Sequence, residues 1–381
     1  MGEVGTEPGG SRRGRRLRRA LVGLLVVVAL LLLVAIGFYW WFVMRDRGPV
    51  VEGEIDEPLL TEPTRLCVRG GRRPCRSVDS VEQVLSAPIL TIEQAEATSG
   101  GMQGAISLAV EDGQGTRLRT KWRSHQSASI VNTPVKELAA YGLQALFLEP
   151  EDQVIPPVVG ACFEVEHYRA EVDPAADALE GTDCVYGFLA YWLVGSATIY
   201  AAREDGLLPR PEDIRDPQLY SAERFRDADP ATRRNLAILN LVTHLVNNGD
   251  AHAGQFVLYE EPLRLFVIDN SIAFQSIANP VMTQIQDLSE LMVPSIPADV
   301  ADRLRGLQRA DLDALASLEE LARVGGAFEH VEPGEPIDPD ERIRVTGDRI
   351  QAGLTTADLD DLWDRFEGVQ ERLASGALGT F

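Results

Sequence analysis

Two aspartates offer the first chemistry in this sequence. Asp250 lies in Asn247-Asn248-Gly249-Asp250-Ala251-His252-Ala253-Gly254-Gln255, and Asp269 follows 19 residues later in Val267-Ile268-Asp269-Asn270. Each stands just past an apolar run, residues 241–246 and 265–268, where a buried element gives way to a loop. Phosphoryl transfer asks little covalent help of a protein. It needs one carboxylate to orient an attacking hydroxyl and accept its proton, a second to hold a divalent metal on the phosphates, and a polar side chain to share that metal. Asp250, Asp269 and Gln255 are of the right types for those roles. Aspartates are common in turns and caps, so the weight of this reading rests on what lies upstream.

Upstream, Ser99-Gly100-Gly101-Met102-Gln103-Gly104-Ala105 precedes an alternating run, Ile106-Ser107-Leu108-Ala109-Val110. The turn Glu111-Asp112-Gly113-Gln114-Gly115 then leads to a second strand ending near Lys121. Glycines at 100, 101 and 104 let backbone amides approach phosphates, and a hairpin returning Lys121 beneath them places an ammonium by the same oxygens. The chain holds only two lysines, Lys121 and Lys136, among 36 basic residues, so a lysine here meets a need for a compact point charge. Sixteen residues on comes Glu137, in the first turn of a helix expected over about 133–146, with Thr133 as N-cap and Pro134 in the first helical position. A Glu so placed can pair with the strand lysine and fix it.

Several short motifs resemble the atypical secretory-pathway kinases of the Golgi casein kinase and four-jointed type. They are Gly101-Met102-Gln103-Gly104, the Gly113-Gln114-Gly115 turn before Lys121, Glu137-Leu138-Ala139-Ala140-Tyr141, Ile155-Pro156-Pro157-Val158-Val159-Gly160 and Gly249-Asp250-Ala251-His252. More loosely, the last of these with Phe266-Val267-Ile268-Asp269 is similar to the phosphatidylinositol 3- and 4-kinase pattern. The resemblance spans about residues 86–280. It implies an α+β, bilobal kinase-like fold with a β-rich N-lobe and a helical C-lobe. It also implies ATP with Mg²⁺ or Mn²⁺ as cofactors, Lys121 at the phosphates, Glu137 as its partner, Asp250 as catalytic base, Asp269 as metal ligand and His252 as scaffold. The chain departs from the pattern at Ala251, where an Arg is usual, at Gln255, where Asn is common, and at Ser271, where a Gly is expected. A catalytically inactive nucleotide-binding scaffold, and an AMP transferase on the same fold, are the competing functions.

The remaining sequence sets compartment and partners. Residues 20–44 form an unbroken run of 25 uncharged, mostly apolar residues, long enough to span a bilayer core of roughly 30 Å. The run is too long for a cleaved signal peptide, lacks a small-residue cleavage site, and ends in Phe38-Tyr39-Trp40-Trp41-Phe42, an interfacial belt. Six arginines precede the span, so the positive-inside rule puts the N-terminus in the cytoplasm and the rest outside it. Four cysteines suit an oxidising compartment. Sequential pairing, Cys67 with Cys75 and Cys162 with Cys184, is the simplest connectivity; zinc ligation lacks the close spacing. The net charge of −22 makes nucleic acid and anionic headgroups poor partners. With the kinase resemblance, the expected acceptor is a hydroxyl of a protein or glycan.

The expected organisation is a basic tail (1–19), the anchor (20–44), a Pro-, Gly- and charge-rich stalk carrying the first cysteine loop (45–83), an N-lobe (84–184) and a C-lobe (185–381). Helical patterns dominate beyond about 185. One helix is capped by Asp229-Pro230, and amphipathic stretches cover roughly 300–323 and 356–374.

Overall fold

A computed structural model describes residues 21–22, 24–34, 54–98, 105–127, 133–198, 220–248, 253–260, 262–274 and 290–381. The chain divides into an N-terminal unit, of which 21–22 and 24–34 are described, and a second unit holding all the other described residues. In the first, 21–22 and 24–34 are helical, and their leucines and valines are exposed. Among the described residues no helix is long and apolar enough to cross a membrane. Residues 35–44, with the aromatic belt, lie outside the described residues.

The second unit is α+β. Its first sheet has five antiparallel strands: β1 (Leu90–Ala97), β2 (Ile106–Asp112), β3 (Arg117–Ser124), β4 (Val158–Glu164) and β5 (Cys184–Tyr191), in the order β1-β2-β3-β5-β4. The β2–β3 turn closes because the Asp112 carboxylate accepts the Gln114 and Thr116 N–H groups at 2.9 and 2.7 Å, while Gly115 takes φ +86°. Strand β3 alternates, with Leu118, Thr120 and Trp122 buried and Lys121 and Arg123 on its other face. Trp122 is wholly buried, donates to the Tyr168 hydroxyl at 3.0 Å and meets Phe163 edge-on at 4.9 Å between centroids.

The stretch expected as a stalk is instead part of this core from residue 54 onward. Leu66, Val68, Val78 and Val81 are buried, Leu66 bridges Arg76, and α1 (Val78–Leu85) starts from a Ser77 cap and buries Val78, Val81, Val84 and Leu85. Its Pro and Gly content hid apolar residues at helical spacing. Residues from 185 onward, expected in the helical second half, begin instead with β5, which pairs between β3 and β4. Both expected disulfides are present, Cys67–Cys75 and Cys162–Cys184.

Helix α2 (Val135–Ala145) crosses behind the sheet and buries Glu137, Leu138 and Leu143. It begins one residue later than expected, with Pro134 as the helical-φ cap residue and no side-chain cap. At its far end the buried Gln144 amide donates to the Ile155 carbonyl at 2.7 Å and accepts from Val154 and Ile155 N–H at 2.9 and 3.0 Å. Those bonds fix the chain that leads to β4.

After α3 (Val165–Glu171) come β6 (Ala197–Thr198), α4 (Ala222–Asp227), α5 (Pro230–Leu245), β7 (Phe256–Tyr259) and β8 (Arg264–Val267), and β6, β7 and β8 form a three-stranded sheet. As the sequence indicates, Asp229 caps α5, accepting Ala231 and Thr232 N–H at 2.9 and 3.1 Å. Asn235 of α5 grips β8 through both amide atoms, at 3.0 and 2.7 Å from the Leu265 carbonyl and N–H.

The expectation of helix over about 300–323, and of a helical second half, needs correction. Within that stretch, after β9 (Ser295–Ile296), helix covers α6 (Ala298–Gly306), α7 (Arg309–Leu312) and a 3-10 turn at Asp313–Ala316. A four-stranded sheet follows, β10 (Glu319–Val324), β11 (Ala327–Val331), β12 (Ile343–Thr346) and β13 (Arg349–Ala352), ordered β11-β10-β13-β12. Its tight turns use Gly325 and Gly326 at φ +61° and +102° and Gly347 at +57°. The sheet touches the first one where Glu319 accepts the Gly160 N–H of edge strand β4 at 2.5 Å; a Cβ at Gly160 would sit 1.9 Å from that carboxylate. Helix α8 (Thr356–Ser375), opened by a Thr355/Asp358 capping box and ended by Gly376 at φ +75°, and β14 (Gly379–Thr380), parallel to β9, complete the chain.

Candidate active site

The alternation of β3 puts Lys121 and Arg123 on one side, facing the first turn of α2. Lys121 Nζ lies 2.9 Å from Glu137 Oε1 and also contacts Asp269 Oδ1. Burial by itself pulls the lysine pKa down, but the Asp269 and Glu137 carboxylates outweigh it and raise the value, so Lys121 stays charged. Arg123 extends the pairing, with Nη1 at 3.8 Å from Glu137 Oε1. Two cations thus face two carboxylates drawn from a strand, a helix and a loop.

Asp269 reaches this position because β8 ends just before it and the backbone turns into the left-handed region, φ 60° and ψ 53°. Asn247 and Phe274, at φ 44° and 54°, share that unusual conformation, and the Phe274 N–H donates to the Val246 carbonyl at 2.7 Å. Asn and Asp tolerate such backbone; a Phe there is strained, and strain of this kind gathers at functional sites.

The turn after β8 ties several elements together. Asn270 Oδ1 accepts from Asn248 Nδ2 at 3.1 Å. Ser271 Oγ accepts from Arg123 Nη1 at 2.7 Å, and the Ser271 carbonyl accepts the Thr133 N–H, just before α2, at 2.8 Å. Gln255 is buried, and its carbonyl accepts the Ile268 N–H at 2.9 Å, which keeps it at the same end of the β7–β8 hairpin as Asp269.

The structure therefore brings Lys121, Glu137 and Asp269 together, with Gln255 on the adjoining strand end. Gly100, Gly101, Gly104, Asp250 and His252 lie outside the described residues. For the glycines, the flanks are fixed: Ala97 pairs with Ile106, and Thr98 Oγ1 donates to the Ala105 carbonyl at 2.8 Å. Arg123, Asn248 and Asn270 were not singled out from the sequence, although the two-residue spacing of Arg123 from Lys121 on a strand was a signal for the first.

Asp269 is 40% exposed at its side chain, whereas Glu137 is 8% exposed, so the aspartate fronts the open side and the glutamate backs it. Asp269, the more open of the two carboxylates, is a hard oxygen donor of the kind Mg²⁺ or Mn²⁺ prefers, while among the described residues no group of three or more His, Cys, Asp or Glu side chains is gathered for a metal.

No family model and no curated protein matches the sequence. Among solved structures, the chain is similar to Fam20 of hydra, solved with sugar, at 14% identity over 78% of this chain and 88% of that one, with a TM-score of 0.43. It is also similar to the Golgi casein kinase with Mn/ADP bound, at 12% identity over 79% and 74% of the two chains, with a TM-score of 0.38.

Proposed function

We propose that this chain is a membrane-anchored, extracytoplasmic kinase that moves the γ-phosphate of ATP to a hydroxyl of a protein or glycan. The observation that carries the reading is the Lys121 ammonium held between Glu137 and Asp269, residues 16 and 148 positions away in sequence. In this reading Lys121 binds phosphate oxygens and Glu137 keeps it from turning away. Asp269 and Gln255 hold Mg²⁺ or Mn²⁺, an ion that would neutralise charge on the transferring phosphoryl group. Asp250 orients the acceptor hydroxyl and takes its proton, and the glycines at 100, 101 and 104 cover the phosphates. The sheet β1–β5 with α2 serves as N-lobe and the elements from α4 onward as C-lobe.

Lys121→Ala tests the reading at its centre. It should weaken metal-dependent ATP binding on the order of 10-fold or more by calorimetry, because a charge-assisted contact to phosphate is worth about 1.5–3 kcal/mol. Equal affinity in the variant would remove the phosphate role.

The extracytoplasmic side of the proposal draws on the two disulfides and on the six arginines before the apolar run at 20–44. A C-terminal reporter that works only in the cytoplasm should stay silent when fused after Phe381. A working reporter would refute the topology.

A further inference from the structure

Ser271 stands where the motif pattern leads one to expect glycine, and its side chain is buried. A serine tolerated as a bland replacement has no need of a partner. This one has two, through different atoms: the hydroxyl takes a hydrogen bond from Arg123 Nη1 at 2.7 Å, and the carbonyl takes the Thr133 N–H at 2.8 Å. Arg123 is itself buried, two residues along β3 from Lys121 and on the same face, and its guanidinium also approaches Glu137 at 3.8 Å. A buried guanidinium is costly unless it is paired, so its position is strongly specified.

From these contacts we infer that Arg123 and Ser271 form a latch that positions the Asp269 carboxylate for a divalent metal. The inference rests on the proposed phosphotransferase site and deepens it. Asp269 takes a left-handed conformation that aspartate tolerates, and the contacts of the turn fix which way its carboxylate points. Each residue of the turn is held by a different group: Asp269 by Lys121, Asn270 by Asn248, and Ser271 by Arg123 and by the chain entering α2. Arg123 and Ser271 are positioning residues. They orient the turn that carries a metal ligand, as outer hydrogen-bond partners commonly do.

Ser271→Ala removes the acceptor and little volume. In the full-length protein, the Mn²⁺ concentration that half-saturates ATP binding, read by calorimetry, should rise on the order of 10-fold, the usual scale for a lost outer-shell partner. The Mn²⁺ electron paramagnetic resonance signal of the nucleotide complex should report the same weakening. Arg123→Gln should give a comparable shift, and the double variant should be little worse than either single, because both remove one interaction. Turnover at saturating Mn²⁺ should fall far less than the metal dependence moves.

A fall in the melting midpoint with unchanged metal dependence would assign the pair a merely structural role and overturn the inference, as would additive shifts in the double variant. Wild-type protein that binds no metal-dependent ATP overturns the phosphotransferase reading and the latch together. Wild-type binding with an unmoved Ser271→Ala curve overturns the latch alone.

Discussion

Asp250→Asn should leave metal-dependent ATP binding near wild type while phosphate transfer falls on the order of 10²-fold or more, the scale of a lost acid–base group. Asp269→Asn should fail differently. It removes the charge that offsets the metal and one of the two carboxylates on Lys121, so binding and turnover should weaken together. The contrast follows from the proposed roles: Asp269 touches Lys121 directly, whereas Asp250 is assigned to the acceptor hydroxyl. Calorimetry and a transfer assay on each variant separate the two, and transfer at the wild-type rate in both would show that the constellation is not catalytic.

Asp152→Ala should cost about 3–5 kcal/mol of stability, the scale for removing one partner from a buried ion pair. The Asp152 side chain is 1% exposed and takes Arg69 Nε and Nη2 at 2.8 and 2.7 Å and Arg234 Nη2 at 2.7 Å. Arg234 continues to Asp299 at 2.8 and 2.6 Å, and Arg69 is presented by the Cys67–Cys75 loop. Beside them Arg264 is buried, and burial pushes its pKa down to about 10. Loss of Asp152 therefore leaves several guanidiniums facing one another across the junction of the disulfide loop, α5 and the chain leading to β4.

The pH dependence has a definite sign. Burial alone would raise the Asp152 pKa, but the hydrogen bonds from Arg69 and Arg234 hold it below its ordinary value of 3.8. A carboxylate whose folded pKa is depressed adds stability that is fully present well above the unfolded value and is lost as pH falls below it. Urea midpoints at pH 7 and near pH 3 should then converge between wild type and Asp152→Ala on the acid side. An unchanged midpoint at pH 7 would show that the cluster is not coupled to folding.

What could be read from the sequence was local. Alternation gave β2, the glycine turn after it gave β3, the Asp229-Pro230 pair gave the start of α5, and sequential pairing gave both disulfides. Lys121, Glu137 and Asp269 could be named because each sits at a readable landmark: the strand after a glycine turn, the first turn of a helix and the end of an apolar run. What brings them together was not readable, because it depends on amides such as Gln144 and Asn235 that bond distant backbone and leave no periodic trace. The sheet β10–β13 was missed because its Leu and Ala residues fit a helical pattern as well as a strand, and the Gly325-Gly326 and Gly347 turns were the deciding signal. The supposed stalk failed for a related reason: Pro and Gly mark turns, but turns also occur inside packed domains, and Leu66, Val68 and Val81 are core residues.

The most direct test of the central claim is transfer by the purified full-length protein from ATP labelled at the γ or the α position, with Mg²⁺ or Mn²⁺ and a mixture of protein and glycan acceptors. A kinase built on Lys121, Glu137, Asp250 and Asp269 passes on the γ label alone, and only with metal. Label from the α position would make the protein a nucleotidyl transferase, and no transfer of either label with ATP bound would leave a nucleotide-binding scaffold; each result contradicts the kinase reading.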